Sequence, residues 1–303
     1  MQQPRACANN DDIKKIQDLM RDGMRAFPHG YMHPMDLEWW FFYNPTGETL
    51  QDTTFLWEDE QGHLLAWLTS LITYGEYDLF MHPTRRGTAL ECEILLWIEE
   101  RITRLSHSQE NPDVESGSVF EDDVFRRSTL ESMGYVGEPY LAVFGQSLKG
   151  ELPPPELPEG YGFLPHMEER FAEQRAQVHV SAFINSRMTH DYYLEFMRTA
   201  PHYEPQHDVV TQKDGQLTSF AMTWRDDVLQ WGEFEPVGTH QEHQRRGLGK
   251  ATLQEGLHRL KTGGMKYATV CCHAPEAGTV AFYESAGFVR KNTTYRYRKP
   301  MKK

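Results

Sequence analysis

The sequence predicts an α/β protein built from two tandem copies of one unit. Three observations carry the prediction. A basic, glycine-bearing turn, Gln244-Arg245-Arg246-Gly247-Leu248-Gly249-Lys250, lies between a strand-like run (Val228–Val237) and a helix-like run (Ala251–Lys261). A reduced form of that pattern, Arg85-Arg86-Gly87 before a helix-like run (Leu90–Arg104), lies in the first half. A proline-rich segment, Gly150 to Gly160, separates the two, and its prolines forbid regular helix and favour an extended strut. These divisions give a first domain at 1–149, a linker at 150–160 and a second domain at 161–303.

The second half reads, in order, as a strand at Tyr161–Pro165, a helix at Glu168–Ala182 and a helix at Asp191–Arg198. Strands at Asp208–Gln212, Thr218–Trp224 and Val228–Val237 follow, joined at Lys213-Asp214-Gly215 and Arg225-Asp226-Asp227 by turn-forming residues. Beyond the glycine turn come a helix capped by Gly263-Gly264, a short β-rich run (Tyr267–Cys272), a helix over Glu276–Ser285 and an alternating last strand (Thr293–Arg298). The first half repeats the β-rich stretch (Leu64–Phe80), the Arg-Arg-Gly turn and the helix, then Leu130-Glu131-Ser132-Met133-Gly134-Tyr135 where the second half has Tyr283-Glu284-Ser285-Ala286-Gly287-Phe288. We read this as a duplication.

A turn of this kind does specific chemistry. The first amides of a helix lack intrahelical partners, and the positive end of the helix dipole adds to them, so the turn suits phosphate oxygens. Gly247 and Gly249 let backbone approach a ligand, and Arg245, Arg246 and Lys250 bring charge that suits a pyrophosphate. The spacing is neither GxxxxGK[ST] nor GxGxxG, so neither a P-loop nor a dinucleotide fingerprint is present.

The Gln-x-x-Gly-x-Gly pattern resembles the acetyl-CoA pyrophosphate loop of the GNAT acetyltransferase superfamily. Phe282-Tyr283-Glu284-Ser285-Ala286-Gly287-Phe288 resembles the helix end that forms its second signature. The resemblance implies two tandem domains, each with a central mixed, mostly antiparallel sheet flanked by helices. It also implies a strand that splays from its neighbour to admit the pantetheine arm, which agrees with Pro236, since proline cannot donate a ladder hydrogen bond. Mapped onto this chain, the backbone of Val237, Gly238 and Thr239 holds pantetheine. The turn from Gln244 through Arg245, Arg246, Gly247, Leu248 and Gly249 to Lys250 holds the pyrophosphate.

The implied reaction is transfer of an acetyl group from acetyl-CoA to the primary amine of a small molecule, by direct attack in a ternary complex. Tyr283 matches the family's general acid, and its phenol, with an ordinary pKa of about 10, lies near that of a thiol. Glu233 and Glu235 share a face of the strand beside the reaction centre and are the candidate bases, with His240 a weaker one. Glu276 stands where the family often has Asn. His190, Asp191, Tyr192, Tyr193, Tyr203 and Asp208 are candidates to line an acceptor pocket. The first copy lacks the second glycine and has Leu130 in place of Tyr283, so it is expected to have lost its cofactor site. A non-catalytic acyl-CoA-binding sensor or scaffold module is the competing reading.

Composition narrows the rest. Residues 1–150 hold 12 Lys and Arg against 25 Asp and Glu, while residues 151–303 hold 19 of each. No basic stripe exists for nucleic acid, and an acidic first half suits a cationic substrate. No apolar run reaches the roughly 18 residues of a membrane span and no apolar leader is evident, so no membrane partner and a cytoplasmic location are expected. Cys7, Cys92, Cys271 and Cys272 lack CxxC spacing, so no metal is expected and reduced thiols are. The aromatic cluster Glu38-Trp39-Trp40-Phe41-Phe42-Tyr43 is expected in a core or at the seam between the halves.

Overall fold

The computed structural model describes residues 3–42, 49–105 and 113–301. The first half runs β1 (Arg5–Ala6), α1 (Asn10–Ala26), α2 (Asp36–Phe42), α3 (Leu50–Thr53), β2 (Thr54–Glu58), β3 (Leu64–Leu71), β4 (Glu76–Met81), α4 (Ala89–Leu105), β5 (Asp113–Phe120), α5 (Val124–Ser132) and β6 (Val136–Ser147). The second runs β7 (Tyr161–Phe163), α6 (Ala172–Ala182), α7 (His190–Thr199), β8 (Asp208–Lys213), β9 (Gln216–Asp226), β10 (Trp231–Thr239), α8 (Leu248–Thr262), β11 (Tyr267–His273), α9 (Ala277–Ser285) and β12 (Val289–Pro300). The two lists follow the same order from β2 and β8 onward, as a duplication requires.

Local chemistry starts and stops these elements. Asn9 caps α1 by accepting the amides of Asp11 and Asp12, and Ile13, Ile16, Met20 and Met24 then fall on one buried face. Gly23 belongs to that face because a Cβ there would stand 2.3 Å from the Tyr31 ring. Thr189 caps α7 by accepting the Tyr192 amide. β10 starts at Trp231, three residues later than the sequence suggests. Residues 227–230 are consumed by the turn, in which Gln230 takes a φ of 57°. Asp226, expected in that turn, instead ends β9 in a buried ion pair with Arg21 of α1 at 2.7 Å.

All described strands join one mixed sheet, in the order β1-β2-β3-β4-β5-β12-β6-β11-β10-β9-β8-β7. Only β4–β5 and β10–β11 pair in parallel. The halves exchange their last strands. β12 lies between β5 and β6 of the first half, and β6 lies between β12 and β11 of the second. Separating the halves would break both the β5–β12 and the β6–β11 ladders. Residues 148–160 form no strand or helix, and this strut is pinned along the second half: Leu148 N–H donates to Lys266 O at 2.9 Å, and Lys261 donates to Gly150 O.

The cores also interlock. Met35 and Trp39, from the first half, sit among Phe196, Phe220 and Trp224 of the second, with the Trp39 and Phe196 rings 5.3 Å apart edge to face. Burying side chains of this size stabilises by about 1.5–3 kcal/mol each. The Glu38–Tyr43 cluster is thus seam and core up to Phe41, whereas Tyr43 lies outside the described residues. Among the described residues no helix is long and apolar enough to cross a membrane.

Candidate active site

The site begins as a failure of pairing. β10 and β11 pair from Trp231↔Tyr267 to Phe234↔Val270 and no further. Past that point β10 follows β9 to Thr239↔Ser219, while β11 follows β6 to His273↔Leu141. At Pro236 the register shifts: four residues on β10, Phe234 to Val237, span three on β9, Thr223 to Ala221. That bulge turns β10 away and leaves a gap edged by Val237, Gly238 and Thr239. At Gly238 a Cβ would meet the Phe220 ring at 2.6 Å and the Ala182 Cβ at 2.8 Å, so only glycine lets α6 lie this close.

The basic turn stands at the mouth of the gap. His240 accepts the Glu242 amide through Nδ1 and so caps a short 3₁₀ turn rather than facing the carboxylates. Arg245 takes a left-handed φ of 61°, and Gly247 a φ of 82° as the cap of α8. Among the described residues the amides of Arg245, Arg246, Gly247, Leu248, Gly249 and Lys250 have no acceptor. Orphan amides at a helix start with empty space above Gly247 form a cradle for an anion. Gln244 Nε2 donates to Thr239 O at 3.3 Å and ties the turn to the gap. Arg246 donates to Tyr161 Oη and Glu242 O, while Arg245 and Lys250 are exposed without partners among the described residues.

At the split lie Tyr283 of α9 and Glu235, the first residue past the pairing, with Glu233, still paired with Thr269, and Asp36 of α2 beside Glu235. Tyr283 packs between Phe144 and Phe288 and is 5 % exposed, and no described group partners its hydroxyl. Burial first, then the nearby thiol of Cys272 and carboxylate of Glu235, hold its phenol well above the ordinary range, so it stays protonated. Burial pushes Glu235 up to about 7. Glu233 and Asp36 are held well above the usual carboxylate range, by burial first and then by neighbouring carboxyls. His33 Nδ1 lies 3.3 Å from Glu233 Oε2, and burial pushes that ring down to about 4. Asp36 and His33 come from the first half and carry no motif of their own, so reading the sequence missed them. Among the described residues no His, Cys, Asp and Glu group is arranged to hold a metal ion.

The expected acceptor residues divide. Tyr193 and Asp208 form a buried network with Arg175, whose guanidinium lies 3.5 Å from the Phe220 ring centre, and the Tyr203 ring packs edge to face on Phe196; they hold the core together. Tyr192 and Asp191 are exposed on α7. His190 lines an open groove of about 320 Å³ between α6 and α7, with Glu173, Gln177, Ser181, Met188 and Thr189. Ser181 also accepts the Gln241 amide at 3.0 Å, which sets the groove beside the basic turn. Glu276 begins α9 and accepts from Thr279 Oγ1 at 3.0 Å.

A pairing gap between parallel strands, an amide-lined turn at its mouth and an unpartnered phenol beside it form one candidate active site. Residues 172–288 match the family described as acetyltransferase (GNAT). The mycothiol acetyltransferase of Streptomyces coelicolor is 26 % identical over 231 residues, covering 73 % of this chain and 70 % of its own length. Two solved structures share the fold across nearly the whole chain. A GCN5-related N-acetyltransferase from Sphaerobacter thermophilus matches with a TM-score of 0.72 at 19 % identity, covering 99 % of this chain and 96 % of its own. A tandem GNAT protein from the clavulanic acid biosynthesis pathway matches with a TM-score of 0.69 at 14 % identity, covering 99 % and 98 %. The match to the GNAT acetyltransferases thus lies in residues 172–288, the chain as a whole shares the fold of a tandem GNAT protein, and it is an acyltransferase.

Proposed function

We propose that the second half, residues 161–303, catalyses transfer of an acetyl group from acetyl-CoA to a primary amine of a small molecule. In this reading residues 1–149 form a unit without an intact acyl-CoA loop, and residues 150–160 connect the two. The observation that carries it is the run of unpartnered amides, 245 to 250, at the mouth of a gap with Glu235 and Tyr283 beside it. Those amides take the pyrophosphate, with Arg245, Arg246 and Lys250 supplying charge and Gln244 fixing the turn. The edge of Val237, Gly238 and Thr239 pairs with pantetheine. Four cysteines without disulfides suit a reducing, cytoplasmic setting.

The chemistry then follows from the groups present. The neutral amine attacks the thioester carbonyl, and backbone N–H groups of the splayed strand stabilise the oxyanion. Glu235 takes the proton from the newly bonded nitrogen. As the C–S bond breaks, Tyr283 gives its proton to the departing thiolate. Of the two glutamates only Glu235 titrates near neutrality, so it is the base, and Glu233 is its protonated neighbour.

The test is a panel of small amines with acetyl-CoA, following thiol release across pH. We expect turnover with at least one amine, and a kcat/KM that rises with pH through about 7 as Glu235 loses its proton. Tyr283→Phe should cut kcat by about 10²-fold with little change in KM. Acetyl-CoA binding without thiol release on any amine would favour the sensor reading. An unchanged kcat in the phenylalanine variant would remove Tyr283 from the acid role.

A further inference from the structure

We infer that the first half completes the catalytic centre of the second: Asp36 on α2 holds Glu233 as a neutral acid, and this leaves Glu235 as the carboxyl that accepts the amine's proton. Asp36 is thus a positioning residue. The inference rests on the reading of Glu235 as base.

Two geometric observations require a proton at this point. Asp36 and Glu233 are each 3 % exposed and neighbour one another, and Asp36 Oδ2 and Glu233 Oε2 have no donor among the described residues. Two ionised carboxylates in that arrangement would repel without relief, whereas a protonated one supplies the missing donor. The second observation is independent. His33 Nδ1 accepts the Met35 amide at 3.3 Å, so it presents a lone pair and no hydrogen. The same nitrogen faces Glu233 Oε2 at 3.3 Å. An ionised Glu233 would there meet the negative side of the imidazole as well as Asp36, and a neutral Glu233 relieves both.

Among the described residues no cation acts on Asp36 or Glu233, which leaves a proton to neutralise the pair. Glu235 lies on the same strand, Asp36 comes from α2, His33 from the turn before it and Cys271 from β11. Arg21 of α1, whose charge acts on His33, is held by Asp226 of β9 at 2.7 Å. On the far side of Glu233 a cavity of about 10 Å³, lined by His29, His33, Thr269 and Cys271, is no larger than one water. α2 is fixed in place by Trp39 in the second half's core and by Glu38, which His202 meets at 2.6 Å. The halves therefore cannot drift apart without exposing the pair.

The experiment compares acidic limbs of kcat/KM for the full-length chain and its Asp36→Asn, Asp36→Asn/Glu233→Gln and Glu235→Gln variants. An asparagine amide donates to Glu233 and lets it ionise, so the single charge of the pair moves from Asp36 to Glu233, and only the double variant removes it. The limb should keep its place to within a few tenths of a pH unit in Asp36→Asn and fall by about one pH unit in the double variant. A purely structural Asp36 beside an already ionised Glu233 would lower the limb in the single variant. If Glu235→Gln abolishes the limb while Asp36→Asn alone lowers it by that full unit, the inference is wrong and the base assignment stands. If Glu235→Gln keeps the limb, the base assignment itself is wrong. Infrared spectra of the wild-type chain at neutral pH add a readout that needs no Asp36 variant to fold. A protonated carboxyl band that disappears in Glu233→Gln supports the inference, and its absence from the wild type overturns it.

Discussion

The turn at residues 82–89 and the turn at residues 240–249 start from the same parts. Each opens on a histidine, His82 or His240, whose Nδ1 accepts the amide two residues on at 3.3 Å. Each then passes through Arg-Arg-Gly, with the glycine at a positive φ, into a long helix. They end differently. In the first, the Gly87 amide donates to Glu91 Oε2 at 2.8 Å, and Arg126 clamps the other oxygen at 2.6 Å. In the second, the residue four after Gly247 is Ala251, and the amides stay free. The gaps differ in the same way. The first residue past the parallel pairing is acidic in both, but Asp78 reaches across to accept the Ser118 amide at 2.6 Å, while the Glu235 carboxylate has no partner among the described residues. The first copy has filled its anion cradle and bridged its gap with its own carboxylates. The second leaves both for a ligand.

The largest effect should come from removing the internal anion. Glu91 is fully buried and its partner Arg126 is 5 % exposed. Glu91→Ala strands that guanidinium with only Leu79 O and a distant Asp123, at 3.9 Å. Loss of one partner of a buried pair costs about 3–5 kcal/mol. We expect the urea midpoint to fall accordingly, while acetyl-CoA affinity of the folded chain, measured by calorimetry, is unchanged. A loss of affinity at constant stability would mean the first loop binds the ligand, and the comparison would fail.

The reverse graft sharpens it. Arg126 stands four residues before Leu130, and Thr279 stands four before Tyr283, so Ala251→Glu with Thr279→Arg rebuilds the first-half clamp in the second half. A carboxylate on the Gly247 amide should compete with the pyrophosphate and weaken acetyl-CoA binding by about 10²-fold, roughly 2.7 kcal/mol. The fold should survive, since the added charges pair. Wild-type affinity in a folded double variant would show that the pyrophosphate does not use these amides.

Much of this was legible in the sequence, for identifiable reasons. The repeat, the strand–turn–helix around Gly247 and the breaker at Pro236 are local signals, and local backbone chemistry decides them. Strand exchange was not legible. β6 and β12 each end a unit and are the same length, and nothing in their residues says which sheet edge they will join. Asp36 was hidden because its partner lies far along the chain and only the packing of Met35 and Trp39 into the other half brings them together. Asp226 was misplaced in a turn because its type suits turns; its burial depends on Arg21, again from the other half. Glu91 is different. Its spacing from Gly87 could have been read against Ala251 without any structure, and the contrast would have marked which loop is closed.

The smallest effect separates charge from backbone in the open turn. Arg245 holds a left-handed φ of 61° with its side chain exposed and unpartnered among the described residues. Arg86, in the closed turn, is instead spoken for: it pairs with Asp123 at 2.9 Å and lies 4.4 Å from the Phe27 ring centre. Arg245→Gly keeps the amide, eases the φ and deletes only the charge. Because an exposed charge acts on phosphate through screened water, we expect KM for acetyl-CoA to rise about two- to fivefold at low salt, with the difference closing near 0.5 M salt. Arg86→Ala should leave that KM alone and lower stability by about 1 kcal/mol through the lost ion pair and ring contact. A salt-independent change in the Arg245 variant would mean that the conformation of the turn, and not its charge, sets the affinity.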